Sequence, residues 1–377
     1  MTSGRSIFRT NGLEKLSSDY LPSRLPHSEG HEAELLRLFT PAVLSGGIIS
    51  RSVMIYGASG TGKTATARRI ALQLKRIATE NLLNLKCVHI NCRYASSNFG
   101  LVQMLTNRAA PHMSTRGYGA SELIQATYSF LDDSSESLFL VLDDVDQFVK
   151  RCGPDGLYEL MRLSDVSPGK KKCLILLLIG VEDITRLPLE NWAKSTITRL
   201  SAHFDPYGFE EIGDILKDRI DESFIEGAVP NDIALLISRI VEKFGFGSAR
   251  YGIELLQAAG LEAEYEGLGR VCPEYVRRAQ ARMDGMVDLG NLSGLPPGHI
   301  ALTRAIARAF GETEEAYVPI SKVLDRADKH HGGGEAESEA LSRLHFEGLI
   351  DRLGDRVGLM GTTLARLEGW LEKLPED

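Results

Sequence analysis

The sequence predicts an α/β domain with a parallel sheet, followed by a helical domain and a C-terminal winged helix-turn-helix. Up to residue 205, short apolar segments typical of buried strands alternate with helical patterns, as in parallel α/β domains. From Pro206 to residue 289 the pattern is helical throughout, and three helical segments and two short strands follow a linker. These three observations fix the predicted fold class.

In order along the chain, the α/β domain begins with a helical pattern that leads into the first strand. Each predicted strand is a short apolar run, and a long helix follows the first one. The predicted strands are residues 52–56, 86–92, 138–144 and 173–180, and the predicted helices are 29–44 and 64–83. Because the strands lack polar alternation, both faces of the sheet are expected to be covered by helices.

The remaining domains are predicted at 206–289 and 299–377, with a linker at 290–298 that is rich in glycine and proline. The helical domain contains four amphipathic segments. In the last domain, a hairpin over 349–360 follows the three helical segments, as in a winged helix. A small packing module without a ligand is the alternative for this last domain.

Composition limits the classes of protein that the chain can represent. Its 377 residues carry a formal net charge of −8, which does not indicate a nucleic-acid binder, although a local basic face is compatible with an acidic whole. The five cysteines form no C-x-x-C pair, which favours free thiols over disulfides or a metal site. The apolar run at 173–181 is too short to span a bilayer, and no signal-peptide core is present, so a cytoplasmic location is expected.

The segment 57–64 has the G-x-x-x-x-G-K-[ST] pattern of a phosphate-binding loop, between a predicted strand and a predicted helix. Its glycines allow backbone N–H groups to close around phosphate oxygens, and the following helix N-terminus favours negative charge. Lys63 would contact the β- and γ-phosphates, and Thr64 would bind Mg²⁺. The predicted nucleotide-binding residues here are Gly57, Ala58, Ser59, Gly60, Thr61, Gly62, Lys63 and Thr64.

Two carboxylates follow the third predicted strand, at the edge where open α/β sheets bind ligands. We expect Asp143 to coordinate Mg²⁺ and Asp144 to polarise the attacking water. The alternative is an acidic turn without chemistry. Many ATPases have Glu at the second position, and the shorter Asp predicts slow hydrolysis of ATP.

At this point the chain resembles the AAA+ ATPases, and within them the archaeal replication initiators related to the eukaryotic origin-recognition and cell-division-control proteins. The resemblance covers nearly the whole chain and rests on stretches in a fixed order. They are the segment before the phosphate loop (16–35), the two nucleotide motifs (55–64 and 140–146), the junction to the helical lid (203–220) and the second-sensor helix (246–264). The resemblance implies ATP or ADP with Mg²⁺ between the α/β domain and the lid.

The resemblance also implies roles for residues outside the two motifs. Tyr207 at the junction could pack on the adenine, Arg219 could reach the nucleotide from the lid, and Arg250 matches the second-sensor arginine. The alternatives are a packing tyrosine, a solvated arginine and a surface ion pair. Less firmly, the resemblance places residues 20, 26 and 27 (Tyr, Pro and His) around the base.

Two positions depart from the family pattern. The first sensor is usually a polar amide, whereas the nearest polar side chain here is Glu182, which either points away or leaves that sensor degenerate. Arg199 is the arginine close enough to the junction to act as the finger in trans, although its spacing is loose. With Asp144, these features favour a nucleotide-held switch over a fast motor.

Two regions are candidates for DNA contact. The resemblance implies an insertion at 93–124, where the basic residues Arg93, Arg108 and Arg116 precede any acid. In the winged helix, ten Lys and Arg stand against fifteen Asp and Glu from His299 onward, a net of −5 by subtraction. Its candidate contacts are Arg343, Arg352 and Arg356. A solvated loop and a protein-binding module are the respective alternatives.

Together these observations predict an initiator-type ATPase that binds origin duplex DNA and recruits or loads the replicative helicase, with other initiator paralogues as partners. The ATP state would act as a switch that hydrolysis resets. The runner-up is a regulatory paralogue that works through protein partners and hydrolyses little ATP. A signalling ATPase would need an effector domain and a P-loop kinase would need a small-substrate site. The sequence shows neither, so both classes are disfavoured. The expected location is the cytoplasm, in association with the nucleoid.

Overall fold

The computed structural model describes residues 6–162, 174–183, 200–283, 286–292, 294–327 and 334–374. The chain divides into two compact units. The nucleotide unit is Leu21–Pro206, and the helical unit combines Met1–Tyr20 with Tyr207–Asp377. The predicted first domain began at residue 1, whereas in the structure the first twenty residues belong to the helical unit.

A parallel sheet forms the centre of the nucleotide unit. Among the described residues its strands lie in the order β2-β3-β4-β1-β5. They are β1 (Arg51–Tyr56), β2 (Asn84–Asn91), β3 (Glu136–Asp143), β4 (Leu174–Gly180) and β5 (Ser201–His203). The strands predicted from the apolar runs are all present, and β5 is an additional edge strand.

Helices cover both faces of this sheet. Along β1, Val53 and Ile55 pack into one apolar cluster and Met54 packs into the other, because successive side chains of a strand point to opposite faces. All of β4 is buried, as expected of a central strand. Among the described residues of this unit, the helices are α2 (Glu29–Leu44), α3 (Lys63–Glu80), α4 (Asn98–Ala109), α5 (Ala120–Asp133), α6 (Val145–Cys152) and α7 (Asp155–Arg162).

The N-terminal segment of the helical unit is anchored to its first long helix. Ile7 and Leu16 are buried in the core of this unit, and the rings of Phe8 and Phe224 lie 4.8 Å apart. The amide of Ile225 donates to the carbonyl of Ile7 at 2.9 Å. The helices of this part of the helical unit are α1 (Gly12–Lys15), α8 (Phe209–Ser223), α9 (Asn231–Phe244), α10 (Ala249–Glu266) and α11 (Pro273–Met283).

The C-terminal part of the helical unit has the predicted winged-helix character. A small antiparallel sheet in the order β6-β8-β7 packs with the surrounding helices around one apolar cluster. Its elements are α12 (Pro297–Gly311), β6 (Tyr317–Pro319), α13 (Ile320–Leu324), α14 (Gly334–Phe346), β7 (Ile350–Leu353), β8 (Arg356–Leu359) and α15 (Leu364–Leu371). The predicted linker at 290–298 contains the end of a short 3₁₀ helix, Leu289–Leu292, and the start of α12.

Buried polar contacts join the winged helix to the helices that precede it. The hydroxyl of Tyr317 donates to the buried carboxylate of Asp351 at 3.0 Å, and Arg239 of α9 lies 3.5 Å from the same carboxylate. Arg277 of α11 is buried, donates to the carbonyl of Leu359 at 2.9 Å and pairs with Glu274 at 3.3 Å. Because buried charges require such partners, these contacts fix the winged helix on α9 and α11.

Candidate nucleotide-binding site

The loop predicted to bind phosphate lies between β1 and α3, as its motif requires. Gly57 has φ 151°, and a side-chain Cβ there would lie 2.1 Å from the carbonyl oxygen of Phe204. Gly60 and Gly62 also have positive φ angles, of 81° and 84°, and Gly62 caps the N-terminus of α3. Only glycine adopts these conformations readily, so the loop geometry depends on the motif glycines.

The lysine of the motif is folded back onto the loop. Lys63 is 7% exposed, and its Nζ donates to the carbonyl of Gly57 at 2.8 Å and to the hydroxyl of Thr61 at 3.2 Å. The carbonyl of Ala58 also accepts from this ammonium, and Ser59 is exposed within the loop. A bound phosphate would replace these neutral acceptors, because it adds the attraction between opposite charges to the hydrogen bond.

Thr64 and Asp143 are brought together at the start of α3. The hydroxyl of Thr64 donates to Oδ2 of Asp143 at 2.8 Å, and His89 Nε2 lies 3.3 Å from the same oxygen. Within the part of the chain that the structure describes, no group of three or more His, Cys, Asp or Glu could hold a metal ion. A hydroxyl and one carboxylate nevertheless fit Mg²⁺, which keeps waters and takes further oxygens from phosphates.

The environment of Asp143 favours its ionised form. Burial of this carboxyl acts to raise its pKa, but hydrogen bonds from His89, from Thr64 and from the backbone of Asp144 outweigh that effect. The pKa of Asp143 is therefore lowered. An ionised carboxylate beside a hydroxyl is suited to binding a hard cation.

Asp144 occupies a strained position at the start of α6. Its backbone is left-handed, with φ 56° and ψ 37°, which few non-glycine residues adopt. Its Oδ2 accepts from Nδ2 of Asn91 at 3.1 Å and lies 3.2 Å from Nε of Arg93. One donor at the end of β2 and one arginine just after that strand therefore hold the carboxylate that was predicted to polarise water.

The sequence reasoning did not identify Asn91 or His89 as site residues. Both belong to β2, which pairs with β3 so that Asn91 lies opposite Asp143 and His89 opposite Val141. Two polar side chains at alternate positions near the carboxyl end of the strand were the available signal, because alternate residues share a face.

At the first-sensor position, Glu182 forms an ion pair with Lys150 of α6, with an N–O distance of 2.9 Å. Both side chains are partly exposed. The lysine is a local partner for the carboxylate of Glu182. This pairing is compatible with the expectation that Glu182 points away from phosphate, which stays a prediction. Arg199, the predicted finger, lies outside the described residues.

The residues predicted around the base are divided between the two units. Pro26 and His27 precede α2 in the nucleotide unit, and His27 is exposed with φ 63°. In the helical unit, the guanidinium of Arg219 lies 5.1 Å from the ring centre of Tyr20. Their proposed nucleotide contacts stay predictions.

The helical unit contains the other residues predicted to reach the nucleotide, Tyr207, Arg219 and Arg250. Arg219 is buried and pairs with Glu222 at 3.2 Å; burial lowers the pKa of its guanidinium, although Glu222 acts to raise it. The amide of Tyr207 donates to the carbonyl of Gly247 at 3.1 Å. Arg250 is exposed in the first turn of α10. The roles predicted for Tyr207 and Arg250 also stay predictions.

The arginines predicted to contact DNA differ in their surroundings. Arg93 pairs with Asp144, and Arg108 donates to the carbonyl of His89, so both also contact the nucleotide site. Arg116 is exposed between α4 and α5. In the winged helix, Arg343 pairs with Glu347 at 2.7 Å, Arg356 lies 3.5 Å from Glu315, and Arg352 is partly buried on β7.

Two family models match this chain. An AAA domain model matches residues 50–187, and a model of the Cdc6 AAA+ ATPase-type lid domain matches residues 213–281. The first match contains the phosphate loop and the two aspartates, and the second contains the helices α9 and α10. Together they agree with the division into a nucleotide-binding sheet domain and a helical lid.

Known proteins and solved structures are similar to this chain over nearly its whole length. The chain is 30% identical over 388 residues to the ORC1-type DNA replication protein 2 of Saccharolobus solfataricus, covering 99% of this chain and 93% of that protein. The crystal structure of Cdc6p from Pyrobaculum aerophilum superimposes with a TM-score of 0.88 at 23% identity, over 98% of both chains. The Aeropyrum pernix ORC1 protein in complex with DNA has a TM-score of 0.64 at 24% identity, over 97% of both chains.

Proposed function

Since the chain belongs to the ORC1-type family of DNA replication proteins, within the AAA+ ATPases, we propose that it is an ATP-dependent replication initiator that binds origin duplex DNA. The observation that carries the proposal is the 2.8 Å contact between Thr64 and Asp143 at the end of an intact phosphate loop. It joins the two nucleotide motifs in the arrangement that a nucleotide and its Mg²⁺ require. The relative from Aeropyrum pernix that was solved with DNA supports the DNA-binding part.

For nucleotide binding, we propose that the backbone of residues 57–62 and the ammonium of Lys63 hold the phosphates. Thr64 and Asp143 would hold Mg²⁺, which neutralises charge that develops on the phosphate oxygens. Asp144 would accept a proton from the water that attacks the γ-phosphorus, while the bond to the leaving ADP oxygen breaks. Arg250 is proposed as the second sensor and Arg199 as the finger, both on the family resemblance.

Hydrolysis is proposed to be slow. The Oδ2 atom of Asp144 accepts from Asn91 and faces Arg93, so one oxygen of this carboxylate is already engaged before any water arrives. An aspartate is also one methylene shorter than the glutamate found at this position in many ATPases. Slow hydrolysis suits a protein whose ATP and ADP states persist long enough to act as a switch.

The experiment that tests this function is fluorescence anisotropy of a labelled duplex, titrated across a salt series with ATP and with ADP. Duplex fragments pooled from the source genome would be included as competitors. A steep salt dependence and an affinity that changes with the nucleotide would support the proposal. Absence of binding to every duplex at low salt would overturn its DNA-binding part.

The variants for this experiment follow from the structure. Arg116→Met should reduce the salt slope, because Arg116 is exposed within the predicted insertion. Arg76→Met is the matched control, since Arg76 is 77% exposed on α3 and pairs only locally with Glu80 in an exposed helical ion pair. Equal effects of the two changes would argue against an insertion-specific contact.

A second candidate is a regulatory paralogue that acts mainly through protein partners. Specific contacts favour it: Arg93, Arg343 and Arg356 all face acidic side chains. Each of these ion pairs would have to be exchanged for a phosphate contact before that arginine could bind DNA. Under this reading the protein binds ATP, hydrolyses little of it and shows weak duplex binding even at low salt.

On the family resemblance, we propose that the replicative helicase and other initiator paralogues are partners of this protein. On the same basis we propose a cytoplasmic location in association with the nucleoid. Across the described part of the chain, no helix combines the length and apolar character that crossing a membrane requires. Co-purification of the replicative helicase with the ATP-bound protein, and its loss with the Lys63→Ala variant, would test the helicase proposal.

A further inference from the structure

The segment Leu21–Ser28, here called the strap, runs immediately before α2 in the nucleotide unit. Pro22 and Ser28 of the strap are buried, although the segment has no regular secondary structure. The amide of Ser28 donates to the carbonyl of Leu25 at 3.2 Å, and the amide of Glu32 donates to the carbonyl of Ser28 at 2.9 Å. The strap is therefore an ordered turn that continues into α2.

One arginine of α3 holds both the strap and α2. Arg69 Nε lies 2.8 Å from the carboxylate of Glu32 in α2, and its Nη1 donates to the carbonyls of Pro22 and Ser23. The Arg69 and Glu32 side chains are 20% and 11% exposed, so water screens this pair little. Gln73, one turn further along α3, donates to the other oxygen of Glu32 at 3.2 Å.

These contacts place the strap within a nucleoside's length of the phosphate loop. Arg69 follows Lys63 by six residues, which corresponds to about 9 Å along a helix. Three residues beyond the strap, in α2, the ring of His31 stacks on the ring of Phe204 with centroids 4.0 Å apart. The backbone of Phe204 packs directly against Gly57 of the loop. Arg69 thus holds the strap near its start, and His31 holds the helix that follows the strap beside the loop.

We infer that Arg69 is a positioning residue for the nucleoside part of the ligand, because it fixes the strap against α3 next to the phosphate loop. A nucleoside triphosphate held by the loop extends its sugar and base beyond the phosphates, and the strap is the surface that Arg69 supplies there. Guanidinium suits this task because it donates to a carboxylate and to carbonyls in one plane. This inference rests on the proposed nucleotide binding.

The test compares ligands that contain the base with one that does not. Isothermal titration calorimetry would measure the Kd of ATP, of ADP and of inorganic tripolyphosphate for the full chain and its variants. For Arg69→Met we expect the Kd of ATP and ADP to rise about tenfold, equal to about 1.4 kcal/mol. The Kd of tripolyphosphate should change less than about twofold, since the loop is untouched.

Two further variants separate positioning from general damage. Arg69→Lys keeps the charge but replaces the planar guanidinium with an ammonium whose donors all lie on one nitrogen. This variant should therefore recover part of the ATP affinity. Glu32→Gln keeps the shape of α2 and weakens the hold on Arg69, so it should move ATP affinity in the same direction as Arg69→Met by a smaller factor. Arg76→Met, on the exposed side of the same helix, should change none of the three affinities.

Each outcome decides one question. If the unmodified protein binds neither ATP nor tripolyphosphate, the proposed nucleotide function fails. If it binds both and Arg69→Met weakens them equally, Arg69 supports the loop rather than the nucleoside, and the inference is overturned. Unchanged ATP affinity in both Arg69→Met and Glu32→Gln would also overturn it.

Discussion

Replacing Arg93 with methionine separates two roles that this side chain is positioned to play. In the structure its Nε lies 3.2 Å from Oδ2 of Asp144, whereas the sequence places it in a stretch predicted to contact DNA. Methionine keeps most of the length and removes the charge. We expect faster hydrolysis of bound ATP and weaker dependence of DNA binding on salt.

The magnitude follows from exposure and from the remaining partner. Arg93 is 63% exposed and Asp144 is 22% exposed, so solvent screens their ion pair, which is worth at most about 1 kcal/mol. Releasing it frees a lone pair on Asp144 for the attacking water, and about 1 kcal/mol corresponds to about a fivefold change in rate. Asn91 still donates to Asp144 in this variant, so a larger increase is not expected.

The assay is single-turnover release of phosphate from a preformed complex with ATP, so that nucleotide exchange does not limit the rate. On the DNA side, loss of one phosphate contact should lower the slope of log K against log salt concentration by about 0.9. Arg116→Met is the matched control, which should lower the salt slope and leave the hydrolysis rate unchanged.

Two results would refute this reasoning. A fall in the hydrolysis rate of more than about tenfold would mean that Arg93 takes part in the chemical step rather than restraining Asp144. An unchanged rate combined with an unchanged salt slope would mean that the pair with Asp144 has no functional consequence and that Arg93 does not contact phosphate.

Three further predictions concern the fold around the site. Gly57→Ala should lower the melting temperature and the ATP affinity, because strain at a forced positive φ costs about 1–3 kcal/mol. Gly30→Ala in α2, where an added Cβ meets no atom within 4 Å, is the control and should change neither. Differential scanning fluorimetry with and without ATP would measure both variants. Arg277→Met should lower the free energy of unfolding by about 3 kcal/mol in urea titrations, since it leaves the carbonyl of Leu359 and Glu274 without their buried donor. Burial raises the pKa of Cys87 from 9.0 to about 11, so iodoacetamide at pH 8 should alkylate it far more slowly in the folded than in the urea-unfolded protein; equal rates would contradict the burial.

The elements that sequence alone predicted are those specified by neighbouring residues. The phosphate loop needs glycines and a lysine at fixed spacing, and the strand and helix around it are visible in the apolar pattern of the same few residues. The central strands were predictable for the same reason, because a strand buried on both faces is a continuous apolar run. The three-residue strand β5 carries too little pattern for such a prediction.

The contacts that sequence could not supply depend on register between distant segments. Asn91 and Asp144 are 53 residues apart, and their hydrogen bond exists because β2 and β3 pair with Asn91 opposite Asp143. Nothing in the local pattern around Arg93 indicates that its side chain lies against the carboxylate of Asp144 rather than in solvent. The same holds for Arg69, whose partners in the strap precede it by more than forty residues along the chain.

The split of the helical unit between the two ends of the chain has a consequence for how the protein is made. Ile7 and Leu16 emerge from the ribosome well before the helices that bury them, which are encoded roughly 200 residues later. At ~5–20 residues per second, these apolar side chains wait roughly 10–40 s for their partners. The nucleotide unit, which is continuous in sequence, completes its own chain during that interval, so biosynthesis itself orders the assembly of the two units.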